Sequence, residues 1–581
     1  MASPLRVVVE QNVEVPMRDG TVLRADLYRP ESGGPYPALL QRTPYNKALF
    51  TTGLVVDPVR VASRGYAVVI QDTRGRYASD GRFYVFRDEA QDGFDTVEWV
   101  ASQPWCDGKV GMFGASYHGV TQWQAAVTAP PHLKTIAPWI TGSDYHEGWT
   151  YQGGAFCLGF NLSWTLAHLA PDTLLRDRER HESFAARWDR LVSCIDGMTD
   201  AFRRLPLTDL PEIEGLAPYY FDWLAHPDDD AYWRQWNVED RWGDVVVPAF
   251  HLGGWYDIFL GGTLRNFVGM QRRGGSEVAR RGQKLIVGPW GHGLQLANPV
   301  GEVDFGLRST RLAIDLDGLM LRWYDRWLKG EENGVDREPP VKLFVMGENV
   351  WRDETEWPLS RAVPTPFYLH SKGGANSLHG DGWLSPEPPG HEPVDTYLAD
   401  PRRPVPTRGG GLCCYASLLP LGAYDQRCVE RRPDVLVYTS PPLDEDVEVT
   451  GPISAVLYAS SSAPDTDFTV KLVDVDPSGY ARNLTDGILR ARYREGTRAG
   501  RLIEPGRVYE YTIDVGATSN LFRAGHRIRI EIASSNFPRF DRNPQTGVPA
   551  AEARAFAPAV QTVYHEPAYP SRVILPIVPR R

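Results

Sequence analysis

The stretch VGMFGASYHGVTQW, residues 110–123, passes from a run of buried-strand residues into a helical pattern, with Gly114, Ala115 and Ser116 at the junction. A serine on so tight a strand-to-helix turn is lifted clear of the sheet, where its hydroxyl reaches a substrate and the helix N-terminus favours developing negative charge. The same tripeptide is also a cheap way to leave a strand, and Gly-x-Ser near another glycine is common by chance. His118 stands where the second glycine of the motif is expected and Gly119 follows one place later, so the stretch alone leaves both readings open.

Outward from the elbow, short β runs alternate with helical patterns. VEVPMRDGTVLRADLYRP reads as two strands joined by an Asp-Gly turn, PALLQRTPY as a third, DPVRVASRG as a helix and YAVVIQDTRG as a strand. DEAQDGFDTVEWVASQ is an amphipathic helix, and LKTIAPWITG is the strand after the elbow helix. Such alternation implies βαβ crossovers and a mostly parallel sheet covered on both faces. From about Asp144 the pattern becomes helical and loaded with aromatics, and the α/β rhythm returns at VVVPAFHLGGWYDIF. KLIVGPWGHG, a long helix RLAIDLDGLMLRWYDRWLKG and a last strand VKLFVMGENVW follow. Beyond Arg352, segments such as DVLVYTS, ISAVLYAS, FTVKLVDVD and HRIRIEIASS alternate with period two between Pro/Gly breaks, the pattern of a β-sandwich or jelly roll. The fold class is therefore α/β: a sheet domain in two parts (1–143 and 244–351), an inserted helical cap (144–243) and a C-terminal β domain (352–581).

A chain of 581 residues is too long for one core and long enough to bury a deep site. With 42% hydrophobic and 23% charged residues it is an ordinary globular composition, neither disordered nor fibrous. A net charge of -11 argues against a nucleic-acid partner, which would want a basic face. The N-terminus lacks a basic segment followed by an apolar core, and no apolar run approaches the ~20 residues that span a bilayer. The expectation is a cytoplasmic protein with no membrane partner; a homodimer is compatible with everything above. Cys106, Cys157, Cys194, Cys413, Cys414 and Cys428 lack CxxC spacing, so mostly buried free thiols are expected, with no zinc site, metal or other cofactor.

Loops leaving the C-terminal ends of strands carry the chemistry of open α/β sheets, and two later strands end in the residues a serine needs. VPAFHLGGWYD delivers Asp257 and KLIVGPWGH delivers His292, giving the order Ser116, Asp257, His292 of α/β-hydrolase triads. The imidazole removes the seryl proton and returns it to the leaving group, while the carboxylate fixes the tautomer. Rivals fare worse. His118 lies two residues past the serine, where helical side chains do not face each other. His251 lies inside a strand, and Asp244 lies at the wrong end of one. Asp72 is the best competing acid, with capping of the following turn as its simpler role. For the oxyanion, the Tyr117 amide is available; the loop QRTPYNK has no glycine run, and the Tyr45 phenol stands there either as second donor or as a packing residue.

RTPYNK, QDTRGRYASDG, EAQDGFDTVEWVASQPWCDGKVGMFGASYHG, GWYDIF, GPWGHG, PPLDEDVEVTGP and TDFTVKLVDVDPSG together resemble the cocaine-esterase-like hydrolases of the Xaa-Pro dipeptidyl-peptidase clan, over nearly the whole chain and in the family order. The resemblance implies triad roles for Ser116, Asp257 and His292 and an oxyanion hole of Tyr45 and Tyr117. The family elbow, Gly-x-Ser-Tyr-x-Gly, is matched by Gly114, Ser116, Tyr117 and Gly119. The implied architecture is an α/β-hydrolase domain, a helical cap and a jelly roll.

The resemblance also bears on substrate. In relatives acting on α-amino acid esters, acidic residues two and three places after the triad Asp help bind the ammonium; here Phe259 and Leu260 stand there. A small-molecule ester with a neutral aromatic or bulky acyl group is therefore expected. Cap aromatics Trp149, Phe156, Trp164 and Trp223, beside Trp255, Tyr256 and Phe259, are expected to line the pocket. An α-amino acid ester hydrolase, with Asp144 or Glu147 as ammonium partners, is one alternative. A proline-specific dipeptidyl-peptidase and a non-catalytic carbohydrate-binding protein are the others.

Overall fold

The computed structural model describes residues 5–49, 55–178, 183–293 and 298–579. The first strands are β1 (Val7–Pro16), β2 (Val22–Pro30), β3 (Tyr36–Thr43), β4 (Ala67–Asp72), β5 (Cys106–Ala115) and β6 (Leu133–Trp139). A short hairpin, β7 (Tyr151–Gln152) and β8 (Ala155–Phe156), lies in the segment that follows. The main sheet resumes with β9 (Ala249–Tyr256), β10 (Gln283–Gly291), β11 (Val341–Val345) and β12 (Val350–Glu354). Its ten strands run in the order β1-β2-β4-β3-β5-β6-β9-β10-β11-β12. Every pairing from β4 through β11 is parallel, while β1/β2, β2/β4 and β11/β12 are antiparallel.

Parallel strands covered on both faces need continuous apolar runs, and all six residues of β4 and all eight of β9 are buried. The helix α1 (Pro58–Ala62) starts at Asp57, whose carboxylate accepts the Arg60 amide. Next, α2 (Glu89–Ser102) turns Val97 and Val100 inward, and α3 (Tyr117–Ala126) leaves the elbow with all ten residues buried. Burying each such valine contributes about 1.5–3 kcal/mol.

Two expectations are corrected here. The helix expected from Arg311 is broken: a 3-10 turn covers Arg311–Ile314, Asp315 adopts a left-handed φ of 44°, and its carboxylate caps a new helix, Leu316–Leu328, at the Gly318 amide. VKLFVMGENVW is two strands rather than one, because Asn349 with φ 58° turns the chain back. The boundary drawn at 351/352 therefore falls inside β12.

The chain from 363 to 578 forms a second sheet assembly of twelve strands, in which Val447–Ser461 pairs with Tyr509–Phe522, Ala559–Glu566 and Arg572–Val578. Between β6 and β9 lie the β7/β8 hairpin, α4 (Leu158–Trp164) and a π-helical turn, Thr165–Leu169. The molecule is thus an α/β-hydrolase sheet with a helical insertion and a C-terminal β-rich jelly roll. Cys413 and Cys414 are joined as a disulfide between neighbours, contrary to their expected free state; Cys106, Cys157 and Cys194 are buried and free, and Cys428 is exposed. Among the described residues no helix is long and apolar enough to cross a membrane.

Candidate active site

Ser116 sits between β5 and α3 with φ 61° and ψ -124°, a strained backbone conformation characteristic of functional turns. Its amide donates to the Trp139 carbonyl of β6 at 2.9 Å, which pins the turn to the sheet. The glycines around it are required by close approach. A Cβ on Gly114 would lie 2.4 Å from His118 Cβ, and one on Gly119 would lie 2.6–3.0 Å from the Thr141 side chain. The displaced glycine is thus the one that lets α3 pack on the chain leaving β6.

Asp257 follows β9 directly and His292 follows β10 directly, so both side chains emerge at the carboxyl ends of neighbouring strands. His292 Nδ1 is 2.6 Å from Asp257 Oδ1, and His292 Nε2 is 3.0 Å from Ser116 Oγ. With a carboxylate at Nδ1, that nitrogen carries the proton, and Nε2 is left to accept the seryl hydroxyl. Asp257 is buried and Ser116 is partly exposed, which is the arrangement of a sheltered acid and a reachable nucleophile.

Tyr45 lies beyond the end of β3. Its amide donates to Thr43 Oγ1 at 3.0 Å, and its hydroxyl accepts the indole N–H of Trp164 at 3.0 Å. Burial raises the phenol above its ordinary value and outweighs the opposing pull of Trp164, Arg76 and Ser116, so the hydroxyl keeps its proton and remains a donor. The Tyr117 amide lies in the first turn of α3, where backbone N–H groups have no intrahelical acceptor. The Tyr117 side chain points elsewhere: its hydroxyl donates to Glu89 Oε1 at 3.1 Å and accepts the Phe86 amide at 2.9 Å. Glu89 in turn holds Arg42 at 2.8 Å, and burial, opposed by Arg42, pushes its carboxyl up to about 7.

The rival residues are occupied structurally. His118 Nδ1 donates to the Ala115 carbonyl at 2.8 Å and Nε2 accepts from Thr43 Oγ1 at 2.9 Å; burial pushes its imidazole down to about 4. His251 bonds Gln283 in the core, and Asp244 pairs with Arg241 at the surface. Asp72 accepts the amides of Lys47 and Ala78.

Of the expected pocket residues, Trp149, Trp164 and Phe259 come together beside the triad. Phe259 stacks on Trp149 at 4.2 Å and meets the His292 ring edge-on at 5.0 Å, while Trp164 lies 5.8 Å from Trp149. Trp223 stacks behind Trp164 at 6.3 Å, and Phe156 packs farther back against Tyr151 and Tyr220. Trp255, Tyr256 and Leu260 are not brought to this cluster. Trp255 donates to the Phe344 carbonyl, Tyr256 to the Asn483 carbonyl, and the Leu260 side chain lies against Gly253. They belong to the apolar cluster shared with the jelly roll, because the strand end and the following helix turn them away from the serine. Asp144 and Glu147 are also spent elsewhere: Asp144 takes the His146 amide and Asn237, and Glu147 takes the Gly153 amide.

Sequence reasoning missed three contributors. Phe160 stacks on Trp164 at 5.5 Å. Arg76, fully buried, donates to the carbonyls of Pro44, Leu169 and His168. The jelly roll also reaches the triad: a Cβ on Gly411 would be 3.2 Å from the Asp257 carbonyl oxygen, and the Cys414 carbonyl bonds His168 Nε2 at 2.9 Å. Sequence separations of this size carry no local signal.

Residues 19–294 match the family model described as X-Pro dipeptidyl-peptidase (S15 family), and residues 333–574 match that of the X-Pro dipeptidyl-peptidase C-terminal non-catalytic domain. A cocaine esterase from Rhodococcus sp. (strain MB1 Bresler) is 42% identical, over 98% of this chain and 99% of its own length. An aminopeptidase from the marine sediment archaeon Thaumarchaeota archaeon superposes with a TM-score of 0.81 at 26% identity, covering 99% of this chain and 97% of that one. An α-amino acid ester hydrolase gives 0.79 at 26% identity, covering 99% and 98%.

Proposed function

This chain belongs to the cocaine-esterase-like hydrolases of the X-Pro dipeptidyl-peptidase clan and is a serine hydrolase of carboxylic esters, and from that premise we propose that Ser116 is its nucleophile and neutral aromatic or bulky acyl groups are its preferred substrates. The observation that carries the assignment is the unbroken chain from Ser116 Oγ through His292 to Asp257, with 3.0 Å and 2.6 Å contacts.

In the proposed reaction Ser116 Oγ attacks the ester carbonyl carbon as its proton passes to His292 Nε2. The carbonyl oxygen becomes an oxyanion held by the Tyr45 hydroxyl and the Tyr117 amide. His292 gives its proton to the departing alkoxide, leaving an acyl-Ser116 ester. Water, deprotonated by the same nitrogen, then releases the acid and restores the hydroxyl. Asp257 stays ionised throughout and stabilises the imidazolium.

The aromatic preference rests on Trp149, Phe160, Trp164 and Phe259 around the triad. The likeness to an α-amino acid ester hydrolase keeps a second reading alive; against it stand Phe259 in place of an acid and the internal engagement of Asp144 and Glu147. A panel of p-nitrophenyl esters, aryl amides and aminoacyl-proline substrates, with Ser116→Ala as blank, tests the proposal. Turnover confined to aminoacyl-proline substrates would overturn it.

A further inference from the structure

We propose that Trp164 is a positioning residue for the oxyanion donor: its indole N–H, given to the Tyr45 hydroxyl, aims the phenolic proton at the carbonyl oxygen held over Ser116 and strengthens that bond as charge develops. The inference rests on the oxyanion role given to Tyr45 above.

A phenol has one proton and two acceptor positions. The Trp164 N–H fills one acceptor position at 3.0 Å, so rotation of the phenolic O–H is no longer free, and the proton turns to the side away from the indole. Donation into an oxygen also polarises the O–H it carries, since hydrogen bonds in a chain strengthen one another in a low dielectric. No proton is transferred: burial raises the phenol above its ordinary value, and Tyr45 keeps its hydrogen through the cycle.

Neighbouring structure fixes this geometry. Trp164 is the last residue of α4, and the π-helical turn Thr165–Leu169 follows it; such turns concentrate at functional sites. The Arg76 guanidinium binds the Pro44 carbonyl at 2.8 Å on one side and the Leu169 carbonyl at 2.8 Å on the other. One buried cation thereby ties the residue before Tyr45 to the turn after Trp164. On the opposite flank, Thr43 Oγ1 accepts the Tyr45 amide and donates to His118. The tyrosine and the indole are therefore held in one fixed relation, by the shared Arg76 guanidinium and by Thr43, as a preorganised donor requires.

The test is a double-mutant cycle on Tyr45→Phe and Trp164→Phe with a p-nitrophenyl aryl ester. Trp164→Phe is expected to lower kcat by about 3–10-fold, the effect of one net hydrogen bond, with KM changed less than about twofold. In the Tyr45→Phe background the same replacement should alter kcat by less than about twofold, because no hydroxyl is left to aim. Trp164→His, which keeps a ring N–H, should retain more kcat than Trp164→Leu, and this pair decides the matter if the phenyl variant does not fold. Equal losses in both Tyr45 backgrounds, or a rise in KM with kcat held, would overturn the positioning role and leave Trp164 as a pocket wall. An unchanged kcat in Tyr45→Phe alone would instead overturn the oxyanion reading on which this inference stands.

Discussion

Trp149 and Phe259 stack face to face, with ring centroids 4.2 Å apart and planes 9° from parallel. Trp149 belongs to the insertion between β6 and β9, and Phe259 lies two residues past Asp257, so the stack joins the cap to the loop that carries the triad acid. Phe259 also meets the His292 ring edge-on. The proposed acyl wall and the proposed base are therefore packed against each other, and their roles must be separated by choosing which kinetic constant each variant changes.

The nucleophile is tested most directly. Ser116→Ala should lower kcat by about 10⁴-fold or more with an unchanged melting temperature, since the triad acts as a unit. Retention of most esterase activity would falsify the mechanism.

Asp257 Oδ2 is buried with no hydrogen-bond partner among the described residues, so His292 is the main recipient of the carboxylate's charge. Asp257→Asn should cost about 10⁴ in kcat by favouring the wrong imidazole tautomer. If Asp72→Asn produced that loss while Asp257→Asn stayed active, the acid role would pass to Asp72.

Tyr45→Phe removes one oxygen and keeps the ring. Loss of one oxyanion donor should appear in kcat, by roughly 10²–10³, with KM moving less. Pre-steady-state measurement of acyl-enzyme formation checks this, and an unaltered acylation rate would return Tyr45 to packing.

Much of this site was legible because strand ends announce themselves. Asp257 and His292 each follow a continuous apolar run, and the parallel pairing of β9 with β10 places them side by side. The aromatic wall was only half legible. Residues two and three after the triad acid look alike in sequence, yet the entry into helix Leu260–Arg273 sends Phe259 toward His292 and Leu260 toward Gly253. Trp255 and Tyr256 failed for a related reason: their polar tips reach carbonyls on the β11 and jelly-roll side, a neighbour no local pattern reveals. The same blindness hid Arg76 and Gly411, which act across long sequence separations.

Acid should weaken the fold through His118. Its pKa is about 4 in the folded chain against an ordinary 6.5, because burial disfavours the imidazolium. Between those values the unfolded chain takes up a proton that the folded chain refuses, so the stabilisation present above pH 6.5 is lost as pH falls toward 4. The full window corresponds to about 3 kcal/mol. His251 shifts the same way and Glu89 the opposite way, so the comparison must be with His118→Gln in the same background. Denaturant unfolding at pH 7.5 and pH 4.5 should show the wild type losing more stability than the variant; parallel losses would remove His118 as the cause.

In the proposed substrate reading, preference is set by the aromatic wall rather than by the triad. An ammonium beside Trp149 and Phe259 would be desolvated without a carboxylate, because Asp144 and Glu147 are held by backbone amides, and such an uncompensated charge costs several kcal/mol unless it reaches water. A phenylacetate ester should therefore exceed the matching phenylglycine ester in kcat/KM, by about 10²-fold if the ammonium stays dry. Introducing acid with Phe259→Glu should narrow that gap, chiefly by impairing the neutral ester, since the ring it replaces is fully buried against Trp149 and His292. Trp149→Ala offers a second view of the same wall: it should lower kcat/KM for phenylacetate esters more than for acetate esters, because only the aryl group loses a stacking partner. The decisive measurement is the ratio of the two aryl esters in the wild type, where a preference for the amino ester would place an acidic group at the pocket that neither Asp144 nor Glu147 supplies and would move the chain to the α-amino acid ester hydrolase reading.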